Sequence, residues 1–327
     1  MKSPTAGFEN RPLRVLFVRY SSLGDVVFSV DIARSLAERF PLWDLTWLVE
    51  APYAPLVAAQ SFVSRVIPWN RREGLGGFLR LIRRIRKEKF DLLVNLQGGD
   101  RATFLALASG VPLRYGDHRW LQWVFRQNLY WALGILQVSL FPRRGAYLEA
   151  PSVPLPEELE ETGHPRIVVA VGASHPRKRW PEPRLRAYLE ALRGEASLVL
   201  VGSGPEERGV GEALSRAVPG VLNLVDRLSL EGLVGTLARA DLAVAGDTGP
   251  LHLARALGRP VLGLWGPTRL SEPYMATLDG EVSCPCPRRG CLDWSCTLPC
   301  METIPVEDVL GETRRILGLR DLEAPGP

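Results

Sequence analysis

Short aliphatic runs alternate with amphipathic helical stretches along nearly the whole chain, and few architectures bury both. In the first half the apolar runs are Arg14–Arg19 (RVLFVR), Leu45–Val49, Val63–Ile67 and Asp91–Leu96. Between them, Asp25–Phe40 reads as a helix closed by Pro41. Leu75, Phe78, Leu79, Ile82 and Ile85 then recur at helical spacing, and Arg101–Ser109 runs up to Gly110 and Pro112. A continuous aliphatic run suits a strand covered on both faces. The strand–helix rhythm therefore predicts a doubly wound parallel α/β sheet.

The rhythm breaks once. Residues 151–165 (PSVPLPEELEETGHP) are proline-rich, acidic and poor in large apolar side chains, which reads as a linker. It then restarts. Strands are expected at Ile167–Val171, Leu198–Val201, Val221–Val225, Leu242–Ala245 and Val261–Leu264, with helices near 182–193, 206–217, 229–239 and 250–257 and a last one at Val306–Leu317. Two Rossmann-like domains follow, residues 1–155 and 156–327, expected to face a central cleft at the carboxyl ends of their sheets. A length of 327 residues accommodates two such cores.

Composition narrows the function. The longest apolar run, Leu129–Phe141, is too short to cross a bilayer. The opening MKSPTAGFENRPL has no apolar core of a signal peptide, so a cytoplasmic setting is expected. Residues 1–150 carry 21 Lys+Arg against 12 Asp+Glu, whereas 151–327 carry 19 against 24. The basic half suits an anionic ligand or an anionic surface. No recognised nucleic-acid module accompanies the charge, so nucleic acid is not an expected partner. Of the 40 basic residues only Lys2, Lys87, Lys89 and Lys178 are lysines.

Four strand-to-helix loops carry chemistry. Ser21-Ser22-Leu23-Gly24-Asp25 follows the first strand, placing Ser22, Gly24 and Asp25 at the mouth of a cleft. Asp25 has two readings there: a base that takes a proton from a bound hydroxyl, or a plain helix cap. Gly172-Ala173-Ser174-His175-Pro176-Arg177-Lys178-Arg179-Trp180-Pro181 concentrates cations where a second sheet would open. With Ser174, Lys178 suits a diphosphate clamp, and a solvated basic loop is the competing reading. Gly202-Ser203-Gly204-Pro205-Glu206 is a glycine turn able to hold a nucleotide ribose through Gly202 and Glu206, though such turns are common.

The fourth loop, Gly246-Asp247-Thr248-Gly249-Pro250-Leu251-His252, is the most informative. Pro250 suits a first helical position and Gly258 a C-terminal cap. The helix start would aim the amides of Thr248 and Gly249 at an anion. Asp247 would repel phosphate, which points it at a sugar hydroxyl or a backbone amide. His252 either lines the cleft or packs in the core.

Together these loops resemble family 9 glycosyltransferases, the ADP-heptose:lipopolysaccharide heptosyltransferases. The carriers are SSLGD at 21–25, KRWP at 178–181, GDTGPLHLARALGRPVLGLWGPT at 246–268 and the Cys-Pro-Cys to Cys-Met-Glu segment. The resemblance implies a GT-B fold and an inverting, metal-independent transfer from an ADP-sugar, with no further cofactor. It implies Asp25 as base, Lys178, Thr248 and Gly249 on the diphosphate, and Asp247 and His252 near the donor sugar. The loop departs from the family before the lysine, where Ser174-His175-Pro176-Arg177 stands in place of hydroxyl and acidic residues. The expected acceptor is an anionic glycolipid or cell-surface glycan. A GT-B nucleotide-sugar epimerase and a non-catalytic nucleotide-sugar binding module are the alternatives.

Two features stay open. Cys284, Cys286, Cys291, Cys296 and Cys300 crowd into 17 residues and suit a structural metal, a disulfide or free thiols. The helix near 75–89 carries Arg80, Arg83, Arg84, Arg86, Lys87 and Lys89, ahead of Trp120, Trp123, Phe125, Tyr130 and Trp131. That combination suits an acidic lipid-linked acceptor or peripheral contact with an anionic membrane, and equally a solvated face beside a core helix.

Overall fold

A computed structural model describes residues 11–118, 121–125, 127–128, 145–269 and 272–319. The apolar run Leu129–Phe141 and the aromatics Trp120, Tyr130 and Trp131 fall outside the described residues. The chain divides into two compact units, Met1–Arg143 with Tyr147–Glu149, and Arg144–Ala146 with Ala150–Pro327. Residues 151–165, read above as a linker, belong to the second unit and contain a helical turn.

The first unit runs β1 (Leu13–Val18), α1 (Leu23–Arg39), β2 (Trp43–Glu50), α2 (Ala54–Ala58), β3 (Arg65–Trp69), α3 (Gly74–Glu88), β4 (Leu92–Asn95), α4 (Gly99–Ala108), β5 (Leu113–Gly116) and β6 (Gln127–Asn128). Its strands pair in parallel in the order β3-β2-β1-β4-β5-β6. Register sets Leu16 between Thr46 and Leu93. Leu16, Val18, Leu48 and Leu93 are fully buried beneath Phe78, Ile82 and Ile85 of α3, which is why the strand sequences are continuously apolar.

Two expectations need correction here. The third strand lies two residues later than Val63–Ile67, because β3 is the edge of the sheet. Pro68 is tolerated there, since an edge strand leaves one side free of ladder bonds. In α3 the buried stripe is Phe78, Leu81, Ile82 and Ile85. Leu75 and Leu79 are instead 72% and 41% exposed, because their side of the helix turns away from the sheet.

The second unit runs α5 (Glu157–Glu160), β7 (Arg166–Ala170), α6 (Glu182–Leu192), β8 (Ser197–Val201), α7 (Pro205–Ala217), β9 (Leu222–Asn223), α8 (Leu230–Ala238), β10 (Leu242–Gly246), α9 (Gly249–Ala256), β11 (Val261–Trp265), α10 (Glu272–Met275), β12 (Gly280–Ser283) and α11 (Val306–Leu317). Its sheet, again all parallel, has the order β12-β11-β10-β7-β8-β9. Ile167, Val169, Leu200, Val244 and Leu262 form its centre with Tyr188 and Leu189 of α6.

Both sheets thus have one topology, and the direction of strand progression reverses at β1/β4 and at β7/β10. In open α/β sheets a ligand crevice forms outside the carboxyl ends of the strands at such a reversal. The loops leaving β1, β7 and β10 are those that carry Asp25, Lys178 and Asp247–His252. No helix among the described residues is long and apolar enough to cross a membrane.

Candidate functional site

In the second unit, adjacent strands β7 and β10 bring two distant loops together. Lys178 ends a single 3-10 turn, Pro176–Lys178, that starts where His175 Nδ1 accepts from the Arg177 amide. The next residues anchor the loop. Trp180 is buried, stacks edge-on against Tyr188 and donates from Nε1 to the Ile304 carbonyl. Gly246, the last residue of β10, allows the approach, since a Cβ there would sit 2.7 Å from the Lys178 carbonyl oxygen.

Lys178 Nζ then lies 2.7 Å from Asp247 Oδ2. The other carboxylate oxygen is 3.1 Å from His252 Nε2, and His252 Nδ1 is 2.6 Å from the Tyr274 hydroxyl. His252 thus links Asp247 to Tyr274 through its two ring nitrogens. Burial alone would raise the Asp247 pKa. The hydrogen bonds from His252 and Lys178, with the lysine charge, outweigh it and hold the carboxyl far below the ordinary range.

Within the protein, both oxygens of Asp247 are engaged, one by a lysine and one by a histidine, and each keeps a lone pair for a further donor. The histidine contact joins the two readings of His252, which is buried yet bonded to the site. Helix α9 begins here, with Thr248 as its extended N-cap and Gly249 and Pro250 in its first turn. The Thr248 hydroxyl is buried and has no hydrogen-bond partner among the described residues. A lysine, a helix N-terminus and an idle hydroxyl converge at this point, an arrangement that attracts an anion.

In the first unit Asp25 sits in the first turn of α1 and does cap it. Its Oδ2 accepts from the Ser22 amide at 3.0 Å and from Ser22 Oγ at 2.9 Å. Oδ1 is 2.5 Å from Arg19, whose Nη1 also donates to the Leu96 carbonyl. Capping does not close the carboxylate off, for the Asp25 side chain remains 48% exposed. Gly24 lies in the same helical turn. Around this group Gln97 Oε1 accepts from the Tyr20 and Ser21 amides, Arg71 bridges Glu50 and Ser21 Oγ, and Arg101 lies over Trp69. At this end of the sheet the half-exposed Asp25 carboxylate is thus held by the Arg19 guanidinium.

Comparison with known proteins is decisive at this point. The glycosyltransferase family 9 (heptosyltransferase) profile matches residues 145–284, which span the Lys178 loop and the whole Asp247–Tyr274 chain. Lipopolysaccharide heptosyltransferase 1 of Pseudomonas aeruginosa is 30% identical over 286 residues, covering 78% of this chain and 79% of that protein. The chain belongs to glycosyltransferase family 9. Two solved structures share its fold. A family 9 glycosyl transferase from Veillonella parvula aligns with a TM-score of 0.78 at 17% identity, over 95% of this chain and 99% of that one. E. coli heptosyltransferase WaaC, solved with ADP-2-deoxy-2-fluoro heptose, aligns with a TM-score of 0.73 at 19% identity, over 93% and 99%.

The remaining candidate residues of this glycosyltransferase divide. Gly202 and Gly172 both pack against Glu207, where a Cβ would collide, and the Ser203 amide donates to Glu207 Oε2. Glu206 is turned aside onto Arg179 at 2.6 Å, and that guanidinium lowers its pKa. Ser174 is exposed on the loop before Lys178. The five cysteines are all free thiols. Cys284 and Cys300 are buried in one core cluster, and burial first, with the neighbouring thiols of Cys300 and Cys286, raises the Cys284 pKa. Among the described residues no group of three or more His, Cys, Asp or Glu is arranged to hold a metal ion. A cavity of about 490 Å³ adjoins the loop, lined by Arg177, Arg179, Trp180, Glu206 and Leu298 among others, and it excludes Lys178 and Asp247.

Residue-by-residue reading missed Arg19, Gln97 and Tyr274. Arg19 ends the first aliphatic run and had a signal, being a cation beside SSLGD. Tyr274 had none, for it reaches His252 only through the fold.

Proposed function

We propose that this enzyme transfers a heptose from ADP-heptose, with inversion, to a hydroxyl of an anionic lipopolysaccharide-core-like glycan. The observation that carries the reading is the Lys178–Asp247–His252–Tyr274 chain beside the idle Thr248 hydroxyl at the start of α9. Such a cluster fits a departing diphosphate. The names of the relatives, lipopolysaccharide heptosyltransferases of Pseudomonas aeruginosa and E. coli, support heptose as the sugar and lipopolysaccharide as the acceptor. Such an acceptor is lipid-linked, so the reaction belongs at a membrane face, on its cytoplasmic side.

The chemistry is one displacement. The acceptor oxygen attacks the anomeric carbon and passes its proton to the Asp25 carboxylate, which Arg19 and Ser22 orient. The bond from that carbon to the diphosphate oxygen breaks, and the electron pair leaves with the diphosphate. Lys178 and the α9 N-terminus neutralise the charge that develops. Asp247 keeps the lysine extended toward that position, and His252 and Tyr274 hold Asp247. Gly249 and Thr248 offer amide and hydroxyl donors to the same oxygens. Nothing in this sequence of steps calls on a bound metal.

Thermal shift and turnover test the reading together. ADP-heptose should raise the melting temperature of the wild type. Asp25→Asn should keep that shift and lose about 10²–10⁴-fold in turnover, as for loss of a general base. Lys178→Ala should weaken ADP binding and lose roughly 10²–10³-fold in turnover. Wild-type turnover by Asp25→Asn ends the base assignment. Unchanged affinity and turnover in Lys178→Ala end the diphosphate assignment.

A further inference from the structure

We infer that the outer face of α3 and α4 is a docking surface for an anionic lipid bilayer. The face joins two features that a solvated surface does not need together. One is a ridge of exposed apolar side chains. Leu75 and Leu79 stand out from α3, and Phe104 and Leu107 are 51% and 40% exposed on α4. The two helices lie side by side there, with Phe78 of α3 against the Phe104 ring at 6.1 Å and Arg86 Nε donating to the Ala108 carbonyl. The 3-10 turn Gln122–Val124 packs against α4 and projects Trp123, 69% exposed. Scattered apolar residues are ordinary on a surface, but a contiguous group with an exposed tryptophan marks an interaction site.

The other feature is charge. Leu75, Leu79, Arg83 and Arg86 follow one another at helical spacing, and Arg80, Arg84 and Lys87 form the next row. Arg80, Arg83, Arg84, Lys87 and Glu88 line a hollow of about 330 Å³. Glu88 does not neutralise it, since its carboxylate is bound to Arg14 and Arg65. Arg83, Arg84 and Lys87 have no side-chain partner among the described residues. Three unspent cations beside an apolar ridge match the two layers of a bilayer edge, anionic headgroups and the acyl boundary. A nucleic acid would use the charge and leave the ridge in water. The purpose assigned here, bringing the enzyme to a lipid-linked acceptor, rests on the proposed function, whereas the binding itself does not.

Vesicle co-sedimentation of the full chain, without donor or acceptor, tests it. Vesicles of phosphatidylcholine with phosphatidylglycerol should pull the protein down, pure phosphatidylcholine should not, and added salt should weaken the binding. Arg83→Gln, Arg84→Gln and Lys87→Gln combined should bind about a hundredfold more weakly, since each basic residue near an anionic surface contributes about fivefold. Leu75→Ser with Trp123→Ser should also lower binding while leaving the salt dependence in place. Transfer to a deacylated, soluble acceptor should be unchanged in both variants, so a failure of docking and a failure of the proposed transfer read out separately. Equal binding to both vesicle types, no binding to either, or wild-type binding by the triple variant overturns the inference. Retention of a labelled RNA in place of vesicles overturns it as well.

Discussion

Asp247 is the residue on which the proposed donor site turns, and its environment makes a pH prediction. Its folded-state pKa lies below the unfolded value near 4 because Lys178 and His252 outweigh its burial. A carboxyl depressed in this way contributes stability that is fully present above its unfolded pKa and is lost as pH falls through the folded one. Acid titration of unfolding should therefore show a decline setting in below about pH 4, and Asp247→Asn should flatten that limb. An unchanged limb would mean the pair is open in solution. Asp25 makes the contrast. Both readings of it, helix cap and proposed base, start from SSLGD, where a short acid in a first helical turn can take either role; the structure shows the cap. The guanidinium paired with it, Arg19, was legible as a cation beside SSLGD, but its pairing with Asp25 was not.

At the scale of elements, strands and helices followed from local pattern where each is buried on its own terms. The aliphatic centres of β1, β2, β7, β8, β10 and β11 were readable because burial on both faces demands continuous apolar sequence, and Val306–Leu317 because its apolar residues recur at helical spacing. β5 (LRYG), β6 and β12 (GEVS) were not, since they are short and half polar and owe their pairing to the neighbouring strand. Helix α3 shows the limit of periodicity. Its spacing announced a helix, yet which leucines met the core depended on where the sheet lay. The tightest element-level constraint is the end of β10. In Gly246→Ala a methyl group would press on the Lys178 carbonyl, so the β7 loop must move. That variant should lose about 1–3 kcal/mol in denaturant unfolding, the usual cost of overpacking. It should also lose turnover comparably to Lys178→Ala. Wild-type values in both measurements would show the loop adapts freely.

At the scale of the whole molecule, each unit has its own six-stranded sheet and its own buried cluster. The Lys178–Asp247–His252–Tyr274 cluster lies wholly within the second unit. Residues 150–327 expressed alone should therefore unfold cooperatively and keep an ADP-induced thermal shift, while transferring no sugar. A fragment that fails to bind ADP although folded would place part of the donor site elsewhere. Sequence by itself determined the class of each unit, the glycine turns at the strand ends and the residue types suited to an anion and a proton. These are local properties, set by the period of apolar residues and by what a turn or a helix start permits. Only tertiary structure decided that Lys178 and Asp247 pair, that Tyr274 backs His252 and that Leu75 and Leu79 face outward. Those outcomes depend on strand order: β10 lies beside β7 although 71 residues separate Ala170 from Leu242, and no local pattern records which strands become neighbours.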